Sequence, residues 1–290
     1  MTSHSKAVAA FGPTALFLLL WSSGALFAKW GLAHAAPFVF LSLRFALALA
    51  VLLAWAALRR RPMLPRPGTR LRVAATGLLM VGVYSAFYFL ALDRGLTPGV
   101  LATLLGVQPL VTLALTERPL APRRLAGLAI ALAGLVLVVY DSLTAARFGV
   151  AGLLFALGAL ASISAGTLMQ KRLDQAPADV LPLQYAVSLA LCLAIVPLFP
   201  VQVQWTAGLA GSVFCMGVVI SVVATLLLYR LIRAGNLVNV TSLFYLVPGG
   251  TALLDYLVFG NRMAPLALVG MGAIVLGLVQ VFRTPAAPRA

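Results

Sequence analysis

Three ionisable side chains fall inside otherwise apolar stretches: Lys29, Arg44 and Asp255. Away from water a charge must pair, reach solvent or meet a charged ligand, so residues of this kind point to solute handling or ion coupling. One reading groups the three as a polar outer vestibule or a coupling site. The other has them as snorkelling side chains and a structural ion pair. Lys29 has a counterpart, Lys171, at the end of a similar stretch, and both suit cations that complement a helix C-terminal dipole. Arg44 has no such counterpart and is the better functional candidate. Of the six acidic residues, Asp93, Glu117, Asp141, Asp174 and Asp179 fall at segment ends or in loops. Asp255 is therefore the one candidate for a proton-binding carboxylate at depth. Cys192 and Cys215, with only His4 and His34, make no metal-ligand set, and no cofactor is expected. Without an acid/base cluster, a metal set or a nucleophile beside a base, no catalytic residue is assigned.

Uncharged groups form clearer patterns. Ser221, Thr225 and Tyr229 recur at i, i+4, i+8, and Tyr84 with Tyr88 at i, i+4, each set making one stripe on a helix. Trp21 and Ser22, Ser164, and Asn239, Ser242 and Tyr245 add aromatic or polar groups at middle depths of other segments. Single hydroxyls between membrane helices often serve only packing. Taken together the stripes favour a lined cavity, with Trp21, Ser22, Tyr84, Tyr88, Ser164, Ser221, Thr225, Asn239, Ser242 and Tyr245 as substrate-binding candidates. Rings and hydroxyls with few charges suit a zwitterionic or neutral solute carrying an apolar side chain. A phosphorylated sugar would want several inward-facing Lys or Arg. Pro109 and Pro248 sit in the middle of their segments, where each removes a backbone hydrogen bond, and they are the candidate hinges or gates.

The elements that must carry these groups follow from composition. The 290 residues are 62% hydrophobic and 9% charged, against roughly a quarter charged in soluble domains. The apolar runs are about 20 residues long without period-2 alternation, which selects membrane helices over a barrel. Ten are predicted, near 12–32, 38–58, 73–92, 97–116, 124–140, 149–170, 179–199, 208–232, 236–259 and 264–282. The first, with Lys29 near its end, is too long for a signal-peptide core. The net charge of +15 resides in short loops and not on one soluble face, so no nucleic-acid partner is expected. Sixteen of the 21 Lys and Arg fall on one side, including Lys6, Arg118, Arg123, Arg124 and Arg283, against Arg94, Arg147 and Arg262 on the other. By the positive-inside rule both termini are then cytoplasmic, in a bacterial-type inner (plasma) membrane.

The chain also repeats itself. At an offset of 142, Ser22, Gly24, Leu26 and Lys29 meet Ser164, Gly166, Leu168 and Lys171. At 139, Arg94, Leu104 and Pro109 meet Arg233, Leu243 and Pro248, and at 143 Pro122, Gly127 and Gly134 meet Pro265, Gly270 and Gly277. The segments 1–144 and 145–290 are thus two copies of five helices each. An odd number per copy forces the second to enter the membrane from the opposite side, so the fold class is an all-α polytopic membrane protein of two inverted five-helix repeats. The glycine pairs point to close packing of the fifth and tenth helices.

Trp21-Ser22-Ser23-Gly24 followed by Lys29, then Leu43-Arg44-Phe45, then Pro109 and Glu117 before Gly127, resemble the EamA-type drug/metabolite transporters over nearly the whole chain. The resemblance implies ten helices, a central cavity lined mainly by helices 1, 3, 4, 6, 8 and 9, and export of amino acids or other small metabolites. The sequence departs from the pattern at Gly260-Asn261-Arg262, where the second copy lacks a partner for Glu117. The expected function is an alternating-access exporter of a small-molecule substrate, with aromatic or hydrophobic amino acids favoured. A sugar-phosphate or nucleotide-sugar exchanger is the alternative within transport. An integral-membrane enzyme on lipid-linked substrates and a passive channel are the rivals from other classes.

Overall fold

Proline and hydroxyl residues mark where the helices begin. Proline occupies the first turn of α2 (Pro37–Leu58), α4 (Pro98–Thr116), α5 (Pro122–Val138), α7 (Pro177–Leu198) and α10 (Pro265–Arg283), where its missing N–H costs nothing. Thr97 caps α4 by accepting from Val100 N, and Thr206 caps α8 (Ala207–Ala234) through Leu209 N. Asn236 does the same for α9 (237–259) through Asn239 N. The other helices are α1 (Ser3–Leu32), α3 (Arg70–Asp93) and α6 (Val150–Lys171). The structure, a computed structural model, describes residues 3–144, 149–259 and 263–284, the side chains of 3–11, 25, 142, 255, 258 and 259 excepted.

Among the described residues, nine helices are long and apolar enough to cross a membrane. The tenth, α5, has 17 residues and is followed by a short helix, Tyr140–Thr144. All ten expected segments are therefore helical, with ends displaced by a few residues. Large apolar side chains such as Leu154, Leu257 and Leu276 stay exposed along them, the surface that lipid would cover.

Two of these helices change pitch in matching places. α3 is π-helical over Leu78–Val83 and α8 over Cys215–Ala224. Both segments end in the same way, with Tyr84 N bonded to Leu79 O and Thr225 N to Ile220 O, 141 residues apart in sequence. α4 and α9 are interrupted equivalently. α4 breaks at Gly106–Val107, and Pro109 falls in the first turn of the following segment, Gln108–Thr116. α9 passes through a 3₁₀ turn, Leu243–Tyr245, before Leu246–Phe259, whose first turn holds Pro248. The prolines thus open new helical segments and do not kink continuous ones, since proline is tolerated at a helix start.

The chain forms two compact units, and each draws helices from both sequence copies: residues 1–86 with 165–233, and 87–164 with 234–290. They do not coincide with the repeats 1–144 and 145–290, because helices pack against their counterparts in the other copy. In the first unit α2 lies along α7 and also against the π segment of α8. In the second α5 lies along α10. There a Cβ on Gly127 would meet Gly277 O at 2.8 Å, and one on Gly134 would meet Gly270 O at 2.6 Å. Gly270 and Gly277 are the repeat counterparts of Gly127 and Gly134, so the pairing is exchanged: each glycine faces the partner of the other. That is the signature of a local two-fold relation between inverted copies. Leu113, Leu128, Leu135, Val238, Tyr245, Ile274 and Leu278 fill the core beside it.

Candidate functional site

In the first unit the π segment of α8 organises the polar groups. Where π pitch returns to α pitch, one carbonyl is passed over by the backbone amides. Ser221 O lies at that step and accepts from Tyr185 OH of α7 at 2.6 Å. Thr225 Oγ1 donates to Ile220 O at 3.0 Å. The Ser221 hydroxyl is left for another partner, and Arg44 Nε of α2 donates to it at 2.7 Å. The guanidinium lies 5.6 Å from the Phe45 ring centroid, and that ring in turn lies 5.7 Å from the Tyr185 ring. Arg44 is half-buried, and among the described residues no carboxylate comes within ion-pair distance of it.

The second unit holds a different polar cluster. Glu117, at the end of α4, pairs with Arg124 of α5 through Nη1 and Oε1 at 2.7 Å, with the two side chains 3% and 1% exposed. Arg124 Nη2 donates to Asn236 Oδ1 at 3.0 Å and also to Asn239 Oδ1. Asn236 Nδ2 closes the ring on Glu117 Oε1 at 3.0 Å. Glu117 Oε2 and Arg124 Nε have no hydrogen-bond partner among the described residues. Arg124 is thus no loop charge as the sequence suggested. The turn through Pro119 and Pro122 folds it back under Glu117, and the N-terminus of α9 covers both.

The remaining candidates separate by burial. Trp21, Tyr84, Tyr88 and Asn239 are half-buried. Ser22, Ser164, Ser221, Thr225, Ser242 and Tyr245 are buried, at 5% exposure or less. Ser242 Oγ donates back to Val238 O at 2.6 Å, the usual local outlet for a hydroxyl in an apolar helix. Tyr245 lies wholly inside the α5–α9–α10 core, and its hydroxyl, like Ser164 Oγ and Tyr229 OH, has no partner among the described residues. The expected stripe of Ser221, Thr225 and Tyr229 is therefore an inward-packed face. Lys29 is exposed in the last turn of α1. Its counterpart Lys171 reaches a neighbouring helix: Nζ donates to Ile232 O at 2.7 Å and Arg233 O at 3.0 Å, near the end of α8. Asp255 belongs to α9, and its side chain lies outside the described residues.

Sequence reading missed Tyr185, the Glu117–Arg124–Asn236 ring and both π segments. Arg124 seven residues after Glu117, across a proline turn and in the first turn of an apolar helix, was the signal available for the second. Nothing in residue type announces a π turn.

An all-helical polytopic protein of two inverted repeats, with paired helix discontinuities and few polar groups at depth, has the build of a secondary transporter. Residues 12–140 and 150–283 match the EamA-like transporter family, and the chain belongs to it. This is a family of transporters and not of enzymes. A probable amino-acid metabolite efflux pump of Salmonella typhimurium is 27% identical over 190 residues, 64% of this chain and 60% of that protein. An uncharacterized transporter of Archaeoglobus fulgidus is 34% identical over 128 residues, 43% of this chain and 44% of its own length. Each match thus spans less than two thirds of the relative. A crystal structure at 22% identity covers 94% of this chain and 96% of its own with a TM-score of 0.81, a likeness of fold.

Proposed function

We propose that this protein exports amino acids or similar small metabolites by alternating access, with aromatic or hydrophobic amino acids as the favoured cargo. The observation that carries the mechanism is the matching of discontinuities between copies: π segments in α3 and α8, and breaks at Gly106–Val107 and 243–245 in α4 and α9. Paired interruptions let the two copies exchange conformations about a site between inward and outward openings. The half-buried Trp21, Tyr84 and Tyr88 are the aromatic candidates for cargo contact, with Asn239 as a polar one. Pro109 and Pro248 stand at the hinges.

The Salmonella relative's description favours amino-acid metabolites as cargo. The supply of cations favours them as well. Arg124 is committed to Glu117, which leaves Arg44 as the half-buried guanidinium free of a carboxylate partner among the described residues. One such group is too few for a doubly charged phosphate, which disfavours the sugar-phosphate exchanger. The test is uptake into proteoliposomes of labelled amino acids, sugar phosphates and cationic drugs. Saturable uptake of an aromatic or aliphatic amino acid is expected. Saturable uptake confined to sugar phosphates would replace this reading with the exchanger, and flux without saturation would make the protein a channel.

The charge distribution supports cytoplasmic termini in a plasma membrane. Reporters fused beyond Lys6 and beyond Arg283 are expected to be active only in the cytoplasm. A periplasmic signal from one alone would contradict an even number of crossings, and from both would reverse the orientation.

A further inference from the structure

We infer that Arg44 and Ser221 form a subsite for a carboxylate, in which the Nη1/Nη2 edge of the guanidinium receives the carboxylate of the cargo and Ser221 fixes the orientation of that edge. The inference rests on the transport reading above and names the chemical group by which cargo is recognised.

Position is the first ground. Arg44 is the eighth residue of α2, and Ser221 is the fifteenth of the 28 residues of α8. The bond between them at 2.7 Å therefore holds the guanidinium beside the middle of a membrane helix. An arginine that merely snorkels extends its head toward the nearer interface. This one is tied inward by Nε.

Partners are the second ground. A cation at such depth requires a counter-charge or water. Among the described residues Arg44 has neither Asp nor Glu within ion-pair distance, and its one side-chain acceptor is the neutral Ser221 Oγ. The two Nη groups make no hydrogen bond to the described residues, and the side chain as a whole is half-buried. By contrast, the second unit surrounds Arg124 with Glu117, Asn236 and Asn239. Both Nη groups of Arg124 are engaged by these acceptors, whereas those of Arg44 have none among the described residues.

Geometry is the third. A guanidinium offers two parallel N–H donors on its Nη1/Nη2 edge, matching the spacing of carboxylate oxygens. With Nε engaged by Ser221, that edge is the one left for a ligand. Tyr185 holds the Ser221 carbonyl at 2.6 Å and so braces the π step on which the serine sits.

The experiment uses the full chain in phosphatidylcholine proteoliposomes, with paired competitors that differ only in charge: phenylalanine with its amide, and phenylpropionate with phenylpropionamide. Wild type is expected to prefer each acid over its amide by about tenfold or more. Arg44→Gln is expected to lose that preference to within about twofold while amide competition is unchanged. Ser221→Ala, which keeps the charge, is expected to raise KM for the acids about threefold with little change in kcat. Retention of the acid preference in Arg44→Gln protein of normal monodispersity overturns the subsite and leaves amino-acid export standing. Preference for phenylpropionate without recognition of any amino acid supports the subsite and overturns the amino-acid cargo. Absence of an acid preference in the wild type overturns the subsite. If Arg44→Gln does not fold, Ser221→Ala decides, and an unchanged acid KM there overturns the inference.

Discussion

Arg124→Met is expected to destabilise the protein by about 3–5 kcal/mol, the range for removing one member of a buried ion pair. The reason lies in what remains. Glu117 is 3% exposed, and without Arg124 it keeps the Asn236 amide as its one donor among the described residues. Glu117→Gln strands the guanidinium in the same way and should cost a similar amount. The double variant Glu117→Gln/Arg124→Met leaves neither charge unpaired, so its loss should fall short of the sum by about 2 kcal/mol or more. Unfolding of the four proteins in one detergent gives the coupling energy directly. Additivity within about 0.5 kcal/mol would mean that the pair is not coupled as described. Because a neutral or apolar replacement of both partners is tolerated in many proteins, the pair's value here is conformational: it fastens the end of α4, the start of α5 and the start of α9 to one another.

Gly134→Val is expected to lower stability by about 3 kcal/mol through overpacking. The added Cβ would sit 2.6 Å from Gly270 O and 2.8 Å from Ile274 N, backbone atoms that no side-chain rotation can remove. Relief requires α5 and α10 to separate, which undoes the contact holding Leu128, Leu135, Ile274 and Leu278 together. Gly272→Ala is the control within α10, since a Cβ there meets nothing within 4 Å. That change should be neutral or stabilising by about 0.5–1 kcal/mol, from lower backbone freedom in the unfolded state. Equal tolerance of the two substitutions, read as the thermal midpoint in detergent, would rule out the close α5–α10 approach.

The helices and their duplication were legible because both are written in local chemistry. Twenty-residue apolar runs between charged loops have only one backbone solution in lipid, and the proline and capping residues at Pro37, Thr97, Pro122 and Pro265 mark their starts whatever the helices later touch. The offsets that align Gly127 with Gly270 and Gly134 with Gly277 identified close-packing helices before any contact was known. Residue type also singled out Arg44 as a charge without a repeat counterpart, and Ser221 as a member of a polar face.

Tertiary structure decided which polar groups face which. The spacing of Ser221, Thr225 and Tyr229 suggests one polar stripe, and in the structure all three are buried, Ser221 in the π segment Cys215–Ala224 and the other two in the α-helical turns that follow it. Tyr245 has the composition of a cavity residue and the location of a core residue, because the 3₁₀ turn at Leu243–Tyr245 aims it at α5 and α10. Arg124 has the composition of a topology signal, yet it meets Glu117 across a turn and Asn236 from a helix 112 residues away. The sequence by itself determined a ten-helix, twofold-repeated membrane protein, since hydrophobicity and periodicity act residue by residue. Only the tertiary structure decided that Arg44 ends against Ser221 with its Nη groups unpartnered among the described residues while those of Arg124 are engaged, since a buried charge takes its role from partners that the chain brings from far away.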